Sequence, residues 1–156
     1  LENGTLAHTI SGKFHKIFIN NQPASEALIN AYTAGYFGVP VSFISGDETC
    51  CQQTEELIPG IETAIVKYGL GEAVRALPLN EARRRIKIGV KSALERIETL
   101  QPIGQNIEQF NSHLIYRKIK DAIRAGNYPG AEQKDYEVKF VADDYLDFLT
   151  FLHFVS

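Results

Sequence analysis

Apolar residues change their spacing several times along the first fifty positions, and each change marks an element. From Lys13 to Asn20 the run KFHKIFIN carries Phe14, Ile17, Phe18 and Ile19, β-branched and aromatic bulk that fits a pleated, buried surface, and it predicts a strand. Asn20, Asn21 and Gln22 before Pro23 predict a turn, because Asn tolerates positive φ and Pro ends a ladder. Ser25 stands where an N-cap belongs for EALINAYTAGYFG, in which Leu28, Ala31, Tyr32 and Phe37 recur at helical spacing. Val39 to Ser45, a short apolar run between Gly38 and Gly46, predicts a buried strand.

Asp47 is the expected N-cap of a helix over Glu48 to Ile58, which Pro59-Gly60 ends before a strand from Ile61 to Tyr68. Gly69 to Leu77 fits an edge strand or a turn. Asn80 is expected to cap a long helix from Glu81 to about Leu100. One face of it, Ala82, Ile86, Gly89 or Val90, Ala93 and Ile97, would pack, while Arg83, Arg84 and Arg85 lie on a solvated face. QPIGQN, residues 101–106, reads as a loop and as the expected boundary between a segment 1–100 and a portion 101–156. Beyond it the pattern predicts a strand from Ile107 to Ile115, a basic amphipathic helix from Tyr116 to Ala125, a turn at GNYPG and a strand from Tyr136 to Val141. Asp143 or Asp144 then caps a last helix, YLDFLTFLHFV, whose apolar residues surround its axis. Burial all round is expected there, against a region outside this chain or another subunit. The whole reads as α/β: a layered parallel or mixed sheet with flanking helices, at least two parallel strands joined by right-handed crossovers, followed by a smaller α+β C-terminal portion.

Composition narrows the function. The chain has 156 residues, 44% of them hydrophobic, enough for a real core. Sixteen basic against nineteen acidic residues leave a net charge of −3, so no nucleic-acid surface is expected. No run approaches the ~18–20 apolar residues of a membrane span, so no membrane partner is expected. Cys50 and Cys51 are adjacent, a spacing that matches neither CxxC nor a zinc pattern, and so few thiols favour a reducing cytoplasm. The absence of methionine and the start at Leu1 lead us to expect part of a longer polypeptide. GxGxxG, GxxxxGK[ST], GxSxG and HExxH are all missing, which removes the fingerprints of dinucleotide, P-loop, α/β-hydrolase and thermolysin-like zinc sites.

The candidate chemistry lies at the start. His8 precedes the first strand, and Glu26 falls in the first turn of the helix that Ser25 caps, where free backbone N–H groups and the helix dipole favour negative charge. Read locally, Glu26 either complements the dipole or binds a cation, and His8 is either a strand-end residue or a catalytic one. His15 reads as a strand-face residue, His113 as lying in a loop or strand, and His153 as packed in the last helix. Tyr32, Tyr36 and Phe37 line a core, a pocket or a subunit contact.

Ala7-His8-Thr9 within GTLAHTISGKFHKIFINNQPASEALINAYTAGYFGVPVSFISGD, then EELIPG at Glu55 to Gly60, resembles the D-aminopeptidase family of zinc metallopeptidases, the DppA type. Weaker similarity continues through AIVKYGLGEAVRALP and NYPGAEQKDYEVKFVADDYLDFLTFL. The resemblance implies that this chain is the C-terminal half of the family fold, the N-terminal half being absent. It implies a pair of zinc ions that activates water to release an N-terminal D-amino acid from short peptides. It makes His8 the catalytic histidine and Glu26 a metal ligand, the remaining ligands lying in the N-terminal half, and it suggests a ring-shaped homo-oligomer. The alternative from another class is a non-catalytic α/β binding or assembly module.

Overall fold

The computed structural model describes residues 9–70 and 73–156. Their contacts divide them into two units, one of residues 34–105 and one in which residues 9–33 fold together with 106–156. The second cut lies by the expected loop at 101–106. The first falls inside a helix, so the strand and turn that open the chain belong with its C-terminal part and not with the rest of residues 1–100.

The unit formed by 9–33 and 106–156 is built on a five-stranded antiparallel sheet. Its strands are β1 (Phe14–Ile19), β2 (Gln22–Pro23), β6 (Phe110–Tyr116), β7 (Glu132–Lys134) and β8 (Glu137–Ala142), in the order β2-β1-β6-β8-β7. Strand β6 alternates strictly: Phe110, Ser112, Leu114 and Tyr116 are buried while Asn111, His113 and Ile115 face the other way. In β1 the register shifts between Phe14 and Lys16, so His15 and Lys16 are both exposed between buried Phe14 and Ile17. Asn20 and Asn21 take φ of 49° and 66°, as the turn requires. Pro23 does not end the ladder as expected: it pairs with Phe18 on the edge strand β2, where a missing N–H costs nothing.

Helices α1 (Glu26–Tyr36), α4 (Ile119–Ala125) and α5 (Tyr145–Val155) complete this unit's core. Asp144 caps α5 by accepting the Leu146 N–H at 2.7 Å. Burial of α5 is one-sided, in correction of the expectation: Tyr145, Phe148, Phe151, Leu152 and Val155 are buried, while His153 and Phe154 are exposed. The cover comes from this chain. Phe148 faces Phe110, Phe151 stacks on Phe140 at 4.4 Å, and the Tyr116 hydroxyl donates to the Val155 carbonyl. Tyr116 is the last residue of β6, not the first of a helix. The expected strand at Ile107 begins three residues later, at Phe110, and β7 was not foreseen.

Residues 34–105 form a β-α-β arrangement with a further strand and a long helix. β3 (Phe43–Asp47) and β4 (Glu62–Leu70) are the parallel pair, joined through α2 (Glu48–Leu57), and β5 (Ala73–Ala76) adds an antiparallel edge. Parallel pairing among the described residues is confined to β3 and β4, since β1 belongs to the antiparallel sheet. Asp47 caps α2 by accepting the Cys50 N–H at 2.8 Å. β3 starts at Phe43 instead of Val39 and is only partly buried, so its apolar run does not mark a central strand. Helix α3 (Leu79–Glu95) starts before the expected Asn80 cap. Pro78, with φ −53°, stands at the N-cap without a side-chain cap, and its carbonyl accepts the Ala82 N–H. Of the expected packing face only Gly89 and Ala93 are buried. A Cβ on Gly89 would lie 2.5 Å from the Phe43 ring, so the missing side chain is what lets the helix approach β3. No helix among the described residues is long and apolar enough to cross a membrane.

Candidate functional site

His8 lies outside the described residues. The described part of the candidate site begins one residue later, in a tight turn. The Ser11 N–H donates to the Thr9 carbonyl at 2.6 Å, and Ile10, at the apex, has φ 62°. A β-branched residue is rarely found there, and such a backbone costs roughly 1–3 kcal/mol unless its surroundings hold it. The next bonds tie the turn into the sheet: Lys13 N–H donates to Ser11 Oγ at 3.3 Å and Phe14 N–H to the Ser11 carbonyl at 3.2 Å.

Glu26 is the first residue of α1 and is exposed. Ser25 caps the helix, its hydroxyl accepting the Leu28 N–H at 3.3 Å, so the glutamate is not consumed in capping. Its Oε1 accepts the Ile10 N–H at 2.9 Å, across sixteen residues of sequence. Buried Leu28, Ile29 and Ala31 hold α1 in its unit, so the carboxylate is presented from a fixed element. Sequence reasoning missed Ile10 because nothing in an isoleucine signals a positive φ; only the polar Ser11-Gly12 beside it hints at a turn.

The other histidines do not join this pair. His15 is exposed on β1. His113 lies on β6, with Nε2 3.0 Å from Glu137 Oε2 and its ring stacked on Phe18. His153 is exposed at the end of α5 instead of packed, because the helix turns Leu152 and Val155 inward and this position outward. Among the described residues no three of His, Cys, Asp and Glu stand together as a metal site. Cys50 and Cys51 are not joined in a disulfide; burial, with the neighbouring Cys50 charge adding to it, pushes Cys51 up to about 11. Tyr32 is half-buried, its ring edge-on to Phe110 and Tyr145, and burial raises its hydroxyl pKa. Tyr36 and Phe37 are exposed and pack edge-on to each other.

Glu26 does not line either of two hollows found among the described residues. One, of about 260 Å³, lies in the unit of 9–33 and 106–156 between Lys13, Arg124, Tyr128 and Phe154. The other, of about 490 Å³, lies in the unit of 34–105 beside Glu62, Arg85, Gly89 and Ser92. There Arg84 and Arg85 both bind Glu81 and hold its carboxyl down at about 2, so these arginines are engaged on the α3 surface.

A family model described as D-aminopeptidase matches residues 1–154. That match runs nearly the whole chain and gives no support to the expectation of a C-terminal half. A D-aminopeptidase of Bacillus subtilis (strain 168) is 31% identical over 147 residues, covering 92% of this chain and 53% of that protein. The solved structure of a Zn-dependent D-aminopeptidase, DppA from Bacillus subtilis, described as a self-compartmentalizing protease, superposes with a TM-score of 0.88 at 28% identity. The superposition covers 98% of this chain and 58% of that one, so the chain spans between half and three fifths of the length of these relatives.

Proposed function

This chain belongs to the D-aminopeptidase family, and from that premise we propose that it carries part of the active site of a zinc-dependent hydrolase that releases N-terminal D-amino acids from short peptides. The observation that supports this reading most is the placing of Glu26. An exposed carboxylate on the first turn of a packed helix reaches back to the Ile10 N–H, two positions after His8 in sequence. In this reading His8 is the catalytic histidine, exchanging a proton with the reacting group or stabilising the tetrahedral intermediate, and Glu26 is a metal ligand.

Zinc comes to this reading from the solved relative, which is Zn-dependent. A catalytic zinc takes about three protein ligands, and the described residues bring no three donors together, so on their own they do not fit the metal. A pair of ions per site, with the further ligands outside the described residues, belongs to the proposal. The ion would supply a Lewis acid and an activated water. The self-compartmentalizing relative supports a ring-shaped homo-oligomer enclosing such sites.

Elemental analysis of the purified intact protein tests the ligand assignment. The account expects bound zinc that falls by about half or more in Glu26→Ala, with hydrolysis of a D-alanyl amide falling with it, since losing a ligand weakens a site steeply. Zinc content and turnover unchanged in Glu26→Ala would remove Glu26 from the site.

A further inference from the structure

We propose that Glu26 also acts as a positioning residue: its carboxylate clamps the left-handed turn at Ile10, and so fixes the course of residues 9–13, which lead into β1. This inference rests on the catalytic role proposed for His8. A glutamate that only complemented a helix dipole would leave its oxygens to water at its own helix end. Glu26 instead places Oε1 2.9 Å from the Ile10 nitrogen, sixteen residues earlier.

The turn needs such a clamp. Ile10 sits at φ 62°, where a β-branched side chain is held only against its own preference. The local closure, Ser11 N–H to Thr9 carbonyl at 2.6 Å, spans the apex but does not engage the apex N–H. That N–H is the donor Glu26 takes. The downstream side of the turn is already tied, through Ser11 to Lys13 and Phe14, and Phe14 is buried in the sheet. Glu26 supplies the tie at the apex, from a helix anchored by buried Leu28 and Ile29. The turn is thereby held from β1 on one side and α1 on the other, which is how a strained backbone beside a reacting group is kept in place.

Two measurements on the intact protein test this. In protein stripped of metal with a chelator, hydrogen exchange of the Ile10 amide should quicken about tenfold in Glu26→Ala, the worth of one charge-assisted hydrogen bond, while the amides of β1 stay protected. Glu26→Gln, which keeps an acceptor oxygen, should restore the slow exchange without restoring zinc. In the zinc-loaded protein, an ester in place of the Thr9–Ile10 amide, made with the hydroxy-acid counterpart of isoleucine at position 10, removes the donor and leaves both the carboxylate and a backbone able to keep the φ of 62°. It should lower kcat on a D-alanyl amide about tenfold or more at nearly constant KM. Unchanged Ile10 exchange in Glu26→Ala overturns the clamp, and full kcat in the ester-bearing protein overturns its role in positioning. Failure of the unaltered protein to hydrolyse the amide would sink the proposed reaction instead, leaving the exchange result standing.

Discussion

Single residues here divide into those whose neighbours are adjacent in sequence and those whose neighbours are not. Asp47 caps α2 and Ser25 caps α1 as their positions lead one to expect, because a cap is a contact within three residues. Ile10 and His153 could not be read in the same way. The φ of Ile10 is imposed by a turn and a carboxylate sixteen residues away, and the exposure of His153 follows from which side of α5 meets the sheet. Cys51 offers a prediction at this scale. It is fully buried on α2 and its thiol is pushed up to about 11, so it is a poor nucleophile, whereas Cys50 beside it is partly exposed. With excess iodoacetamide at pH 8, native protein should be alkylated at Cys50 well before Cys51, as mass spectrometry of the digested protein would read. Equal rates at the two positions would contradict the burial assigned to Cys51.

At the scale of elements, type was more legible than partnership. The period-two pattern of YEVKFV and the helical spacing in EALINAY reflect local geometry, and β8 and α1 form there. What spacing does not encode is which sheet a strand joins. β1 and β3 flank one helix in sequence, yet β1 is antiparallel in the five-stranded sheet and only β3 pairs in parallel, with β4. Helix α5 is the clearest case. Its apolar residues on every side suggested an outside partner, but its core contacts are Phe110, Phe140 and the other rings of its own unit. Phe148 is fully buried among them, so Phe148→Ala should destabilise this unit by about 3–5 kcal/mol, measured by urea denaturation. A loss below ~1 kcal/mol would mean that α5 draws its stability from elsewhere.

For the molecule as a whole, the fold class and the family could be reached from residues alone, because the motif around His8 and the helix of Glu26 is continuous in sequence. A metal site could not, since no three of His, Cys, Asp and Glu meet among the described residues. The division of the chain was hidden as well: residues 9–33 cross to join 106–156, a long-range pairing that composition does not mark. The central claim, that His8 serves the hydrolysis of D-peptides, is tested most directly by comparing D-alanyl and L-alanyl amides with the intact zinc-loaded protein and its His8→Ala variant. The account predicts that the D-amide is hydrolysed far faster than the L-amide, and that His8→Ala abolishes turnover while zinc content stays the same. Normal turnover in His8→Ala, or equal rates on the two amides, would contradict it.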